Sequence, residues 1–153
     1  MKALTVRQPY ADAIAHGAKP VENRTKPLPR KYEGVQVLLH AAKDQHVTKI
    51  TAVGIAQFTG ARITDWTDTR SAILAAITFT GCHKAADDRW CCRPWGQVTT
   101  RVQPEVWHWE IGQVTRLDQP VPASGALGFW PVPDDVLAAV ARQVRLDNKE
   151  PTT

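Results

Sequence analysis

Gly17-Ala-Lys19-Pro-Val-Glu22-Asn-Arg24 sets a lysine, a carboxylate and an arginine within six residues, directly after a short amphipathic stretch. Three charges this close do not sit in a core without partners, because burying an unpaired ion costs several kcal/mol or more. The stretch is therefore either a solvated loop or a polar site on the rim of a pocket. Just upstream, Ala3-Leu-Thr-Val reads as a first strand and carries Arg7-Gln8-Pro9-Tyr10 at its end. A helix follows, with Pro9 in its first turn, Ala11, Ile14 and Ala15 on one face, and Gly17 as its C-cap. Pro20 cannot continue that helix, so Val21–Thr25 reads as extended. On a strand Glu22 and Arg24 share one face, and Val21 and Asn23 take the other.

Downstream, the apolar, β-branched run Val35–His40 reads as a buried strand. A helix is expected around 44–52, with Gly54 and Gly60 arguing against one long element. The alternation Ile77-Thr-Phe-Thr favours a strand over 71–80, and 84–104 reads as a long loop rich in Asp, Arg, Trp and Pro. Val106–Ile111 and Val114–Leu117 are expected to pair as a hairpin through Gly112-Gln113. Val136–Val144 reads as a helix with Asp134 or Asp135 near its start. The expected organisation is one domain over 1–146 and a polar, frayed tail over 147–153.

The 153-residue length fits a single domain with a sizeable core. A composition of 43% hydrophobic and 22% charged residues is that of an ordinary globular chain. No apolar run reaches the roughly 18 residues a membrane helix needs, and the first residues lack the apolar core of a secretory signal. Three cysteines, two of them adjacent, make a poor disulfide framework, so the expected setting is reducing and cytoplasmic. The net charge of +4 is unevenly placed: residues 1–50 hold nine Lys or Arg against four Asp or Glu. That excess beside Lys19 and Arg24 suits a phosphate-bearing partner, or serves only solubility.

The ordered set Lys2-Ala-Leu-Thr-Val-Arg7-Gln8-Pro9-Tyr10-Ala, then Gly17-x-Lys19-x-x-Glu22-x-Arg24, then Leu38-Leu-His40-Ala resembles the first half of an ASCH domain. Trp107-His-Trp109-Glu-Ile, Pro120-Val-Pro and Gly125-Ala-Leu-Gly128-Phe-Trp130 are similar to the closing strands of that fold. The resemblance runs over about residues 2–131, with Tyr10 standing where many relatives carry tryptophan. It implies an α+β chain built on a PUA-like β-barrel with two or three short flanking helices. It also implies a cleft that takes RNA or an unpaired or modified base.

Candidate nucleic-acid-binding residues are Arg7, Gln8, Tyr10, Lys19, Glu22, Arg24 and His40. Lys19 and Arg24 suit phosphate or base-edge acceptors, and Glu22 an exocyclic amine or the arginine itself. Tyr10 suits stacking on a base. The bland alternatives are a surface ion pair Glu22–Arg24, a half-buried Tyr10 and a satisfied His40 at the core edge. Trp107, Trp109 and Trp130 read as core, whereas Trp90 and Trp95, with Arg89 and Arg93, form either a stacking lid or a loop pinned by its aromatics. Cys82-His83, Cys91-Cys92 and His108 invite a zinc reading, but neither Cys-x(2–4)-Cys nor His-x(3–5)-His occurs, so no metal and no cofactor are expected. The chain has no Gly-x-Ser-x-Gly elbow, no phosphate-binding P-loop and no His-Glu-x-x-His.

Two functions follow. The first is a binding module for RNA, single-stranded nucleic acid or a modified nucleoside. The second is an enzyme in the same cleft, because the resemblance extends to amidohydrolases that deacylate acylated cytidine with a lysine, a threonine and a glutamate, and to ribonucleases. Lys19 matches that lysine and would be catalytic with Glu22. Glu22, however, occupies the place of the threonine, and a carboxylate is a poor match for a hydroxyl nucleophile. Whether the chain is an enzyme stays open at this point.

Overall fold

The structure is a computed structural model that describes residues 1–45, 51–85 and 91–147. Six strands and three helices follow one another as β1 (Lys2–Gln8), α1 (Tyr10–Ala15), β2 (Val21–Arg24), β3 (Gln36–Gln45), α2 (Ala52–Thr59), β4 (Ala72–Lys84), β5 (Trp107–Pro122), β6 (Phe129–Pro131) and α3 (Asp134–Ala141). The strands form one sheet in the order β2-β5-β4-β3-β1-β6, with β1 and β3 parallel and every other pair antiparallel.

The expected α+β class holds, and the six-stranded sheet is curled without closing into a barrel through strand pairing. Trp109 of β5 and Phe129 of β6 stack at 5.7 Å between ring centroids, although their strands stand four places apart in the sheet. Phe79 of β4 meets both rings edge-on. The sheet therefore wraps round an aromatic core until opposite sides touch through side chains. Its edge strands β2 and β6 have only four and three residues and do not pair with each other. In place of a closing ladder, the Arg24 guanidinium donates to the Thr5 carbonyl of β1 at 3.0 Å.

Leu4, Ile14, Leu39, Ile77 and Phe79 lie in the principal core, each completely or almost completely buried. A second core, with Leu38, Ile73, Trp130 and Val140, seats α3 against the other face of the sheet. Trp109 and Trp130 are buried as expected, and Trp107 packs partly buried against the principal core.

Three local expectations are corrected. The hairpin over 106–117 is one long strand: Ile77 pairs with Val114 and Phe79 with Ile111, so the ladder's irregularity absorbs Gly112-Gln113 without a turn. The Thr78 hydroxyl accepts from the Gln113 amide at 2.9 Å and fixes that irregularity. Of the helix expected around 44–52, residues 46–50 lie outside the described residues; β3 still runs through Gln45, and a helix starts at Ala52, where Thr51 caps it by accepting from the Gly54 amide. The last helix begins two residues earlier and ends three earlier than its apolar pattern indicates. Of the expected tail only Asp147 is among the described residues, and its amide donates to Gln36 Oε1 at 2.9 Å. No helix among the described residues is long and apolar enough to cross a membrane.

Candidate functional site

A cavity of about 1240 Å³ opens where β1, β2 and β3 meet the 93–98 and 124–128 segments. Five Lys or Arg residues line it (Arg7, Lys19, Arg24, Lys43 and Arg93), against two acids, Glu22 and Asp44. Four of the five come from the first third of the chain, and the low-dielectric walls of a concavity strengthen its pull on anions.

A chain of ions lies on the cavity wall. Lys19 is 2% exposed and its Nζ lies 3.0 Å from Glu22 Oε2; it also donates to the Val21 carbonyl. Glu22, 8% exposed, reaches Arg24 Nε with its other oxygen at 3.2 Å. That second contact is a charge pair out of line for a hydrogen bond, since Arg24 Nε has no aligned partner. The local sequence explains the placement. The turn after α1 brings the Lys19 amide to the Ala13 carbonyl, and Pro20 directs the chain into β2. Strand alternation then puts Glu22 and Arg24 on one face. Burial holds the Lys19 pKa below its ordinary value, opposed by Glu22 and reinforced by Arg24.

Aromatics frame this chain. Lys19 Nζ lies 5.6 Å from the Tyr10 ring centroid, and the Arg24 guanidinium carbon 5.6 Å from that of Trp109. Burial and the Glu22 charge raise the Tyr10 pKa, so its phenol stays a donor at neutral pH. Trp95 is buried and stands on the cavity wall. Its segment is tied to β2 by Asn23, whose Nδ2 donates to the Trp95 carbonyl at 2.9 Å and whose Oδ1 accepts from the Gln97 amide at 3.0 Å.

His40 forms the opposite side. Its Nε2 lies 3.0 Å from the Ala123 carbonyl, which can only accept, so Nε2 carries the proton and Nδ1 is bare. Nδ1 faces the Thr5 hydroxyl at 3.2 Å, and that hydroxyl also accepts from Trp130 Nε1 at 3.0 Å. Burial lowers the His40 pKa, which keeps this tautomer neutral. Gly125 crosses directly over the pair: a Cβ there would stand 2.3 Å from His40 Cε1 and 2.9 Å from Thr5 Oγ1.

The structure thus brings together six of the seven residues singled out in the sequence: Arg7, Tyr10, Lys19, Glu22, Arg24 and His40 all line the cavity. Gln8 is the exception. It is fully buried away from the cavity, accepting from the Asp12 amide at 3.0 Å and donating to the Thr69 carbonyl at 2.7 Å. It anchors the start of α1 and holds a distant loop, so it is unplaced for reading a base. Sequence reasoning missed Thr5 and Asn23. Thr5 sits in an apolar strand where nothing marks its hydroxyl, and Asn23 matters only through a loop more than 70 residues away. Trp95 is a cavity wall as well as a pin for its loop, whereas Trp90 and Arg89 lie outside the described residues.

A second group departs from the expectation of no metal ligands. His83, Cys91, Cys92 and His108 place one ligand atom each within 4.8 Å of all the others. His83 and His108 face each other across the β4–β5 ladder. That pairing is invisible when 106–117 is read as a hairpin.

Fold and cleft define an α+β domain with an open, curled sheet and a basic, aromatic-lined concavity. The sequence profile of the ASCH domain matches residues 4–114, and the chain belongs to the ASCH domain family. Among solved structures it is similar to the ASCH protein of Zymomonas mobilis, at 10% identity and a TM-score of 0.57, covering 95% of this chain and 97% of that one. A serine-to-alanine variant of that protein superposes at a TM-score of 0.55 and 10% identity, covering 92% of this chain and 94% of the other. Its tyrosine-to-phenylalanine variant superposes equally well, covering 92% of this chain and 96% of the other. At such identity the likeness concerns the fold alone. No curated protein matches the chain.

Proposed function

We propose that the cavity binds a single-stranded RNA segment or an unpaired or modified nucleotide. The observation that carries the reading is the Lys19–Glu22–Arg24 chain, its first two members buried and its third partly open, in a cavity lined by five cations and by Tyr10 and Trp95. Cations on the wall match phosphate, and aromatic faces match an unstacked base, the combination used by single-strand binders. A carboxylate held by two cations accepts from an exocyclic amine and tells cytosine-like from uracil-like edges. Membership of the ASCH family agrees with a nucleic-acid partner.

A hydrolytic use of the same cavity is the second reading, favoured by one observation. The Thr5 hydroxyl lies on the cavity wall within hydrogen-bonding distance of the bare His40 Nδ1. That supplies the hydroxyl and acceptor that the Glu22 position lacks for deacylating an acylated cytidine. Lys19 would then stabilise developing negative charge.

One panel separates the two. Single-stranded RNA, single-stranded DNA and an acylated cytidine are assayed for binding across a salt series and for product, with wild type and Arg24→Gln side by side. Salt-dependent binding without product, weakened in the variant, is the expected result. Product that disappears in Thr5→Val assigns the cavity to hydrolysis. Absence of both binding and product overturns both readings.

A further inference from the structure

We propose that His83, Cys91, Cys92 and His108 form a tetrahedral zinc site that pins the 91–98 segment, one wall of the cavity, to the sheet. The site does not depend on what the cavity binds.

The distances carry the argument. Zn–N bonds of about 2.0–2.1 Å and Zn–S bonds of about 2.3 Å give a tetrahedron whose edges are about 3.3–3.4 Å between nitrogens and about 3.5–3.6 Å between nitrogen and sulfur. Here His83 Nε2 and His108 Nδ1 are 3.3 Å apart. Cys92 Sγ lies 3.5 Å from His83 Nε2, and Cys91 Sγ lies 3.4 Å from His108 Nδ1. Three edges thus match such a tetrahedron to within about 0.2 Å.

The outer contacts orient both rings. His83 Nδ1 lies 2.7 Å from Glu110 Oε1, and His108 Nε2 lies 2.8 Å from the Gln97 carbonyl. A carboxylate and a carbonyl accept, so these two nitrogens carry protons, and His83 Nε2 and His108 Nδ1 are the nitrogens left turned toward each other. With both rings neutral, as zinc ligation requires, the two lone pairs 3.3 Å apart converge on one shared cation, in place of the proton that otherwise bridges them. Carboxylate–histidine–metal and carbonyl–histidine–metal arrangements are the usual outer shells of zinc ligands.

Adjacent cysteines in extended backbone point to opposite sides, which is the objection to both serving one ion. Cys92 removes it. Its φ is +58°, a left-handed conformation rare for a side-chain-bearing residue, and it breaks that alternation. Such strain persists where the surroundings enforce it, and it gathers at functional sites. Gly96 completes the enclosure: a Cβ there would meet the Cys91 carbonyl at 2.4 Å, His108 Cε1 at 2.8 Å and Cys92 Cβ at 2.9 Å. The chain closes over the group only because that position has no side chain. Both cysteines are thiols rather than a disulfide pair. Binding converts them to thiolates and releases their two protons to solvent, while both imidazoles ligate neutral.

The test is metal content and cobalt spectroscopy of the full chain under reducing conditions. Protein loaded with zinc and desalted should retain one zinc per chain. Cobalt should give the intense visible absorption of a tetrahedral ion and a thiolate-to-cobalt charge-transfer band. Cys91→Ser/Cys92→Ser should abolish both, Cys82→Ser should leave them intact, and Glu110→Gln should weaken affinity about ten- to a hundredfold. Hydrogen exchange of the 91–98 amides should slow on zinc addition. Sub-stoichiometric zinc in wild type, octahedral cobalt spectra, or full zinc retention in the double variant would each overturn the site. Because the wild-type readouts need no variant, misfolding of the double variant leaves the test decisive.

Discussion

Lys19 Nζ and Glu22 Oε2 stand 3.0 Å apart with side-chain exposures of 2% and 10%. An ion pair this deep is held by its own partners rather than by solvent, and Arg24, the third member, is the most open of the three. Removing one buried partner strands the other, whereas replacing both by apolar groups of similar volume is often neutral.

Glu22→Ala is accordingly expected to lose about 3–5 kcal/mol of stability. Lys19→Met/Glu22→Met should recover most of that loss while leaving the cavity without the Glu22 carboxylate. Urea denaturation of the three proteins checks it. A double variant as unstable as the single one would show that the pair contributes packing that methionine cannot replace.

Arg24 acts differently, because its guanidinium is partly exposed and faces both Trp109 and the cavity. Arg24→Gln should weaken single-stranded RNA binding and lower the slope of log affinity against log salt by about one phosphate contact, roughly 0.7. Its effect on folding should stay near that of a lost hydrogen bond to the Thr5 carbonyl, about 1.5–3 kcal/mol at most. Fluorescence anisotropy across a salt series measures the slope. An unchanged slope would take Arg24 off the phosphate path.

The buried, neutral His40 links stability to acid. Its folded pKa lies below the ordinary 6.5, because burial disfavours the charged ring. As pH falls through 6.5 the unfolded chain takes up a proton that the folded chain does not. Stability from this group is therefore complete above 6.5 and is lost as pH falls toward the folded pKa, at up to about 1.4 kcal/mol per pH unit. His16, lowered chiefly by burial and then by Arg116, adds a contribution of the same sign. Denaturation midpoints from pH 8 to pH 5 should flatten in His40→Gln. A variant with the wild-type slope would assign the acid sensitivity elsewhere.

The charged wall of the cleft was legible in the sequence because local patterning placed it. The turn after α1, Pro20 and strand alternation put Lys19, Glu22 and Arg24 where the structure has them, and family likeness supplied Tyr10 and His40. What escaped depends on contacts across the chain. Gln8 has the same polarity whether it reads a ligand or caps a helix, and only the Asp12 amide and the Thr69 carbonyl decide between them. The His83–His108 pairing depends on strand register, which a glycine inside β5 disguised as a turn. The open sheet likewise reflects the shortness of β2 and β6, a length that an apolar pattern does not fix.

Gly125 joins fold to cavity at a point where no side chain fits. A methyl there would sit 2.5 Å from His40 Nδ1 as well as against Thr5 Oγ1, and both belong to a hydrogen-bonded series running from Trp130 to the Ala123 carbonyl. Neither group can swing aside without leaving a buried polar atom unpaired. Gly125→Ala should therefore cost about 1–3 kcal/mol from overpacking. The displaced 124–128 segment should also change the cavity that it lines. Thr5→Ala/Gly125→Ala, which removes the crowded hydroxyl, tests the coupling. If crowding acts through the Thr5 hydroxyl, the double variant should be less destabilised than the sum of the single ones, and if the His40 ring alone carries the clash, the effects should add.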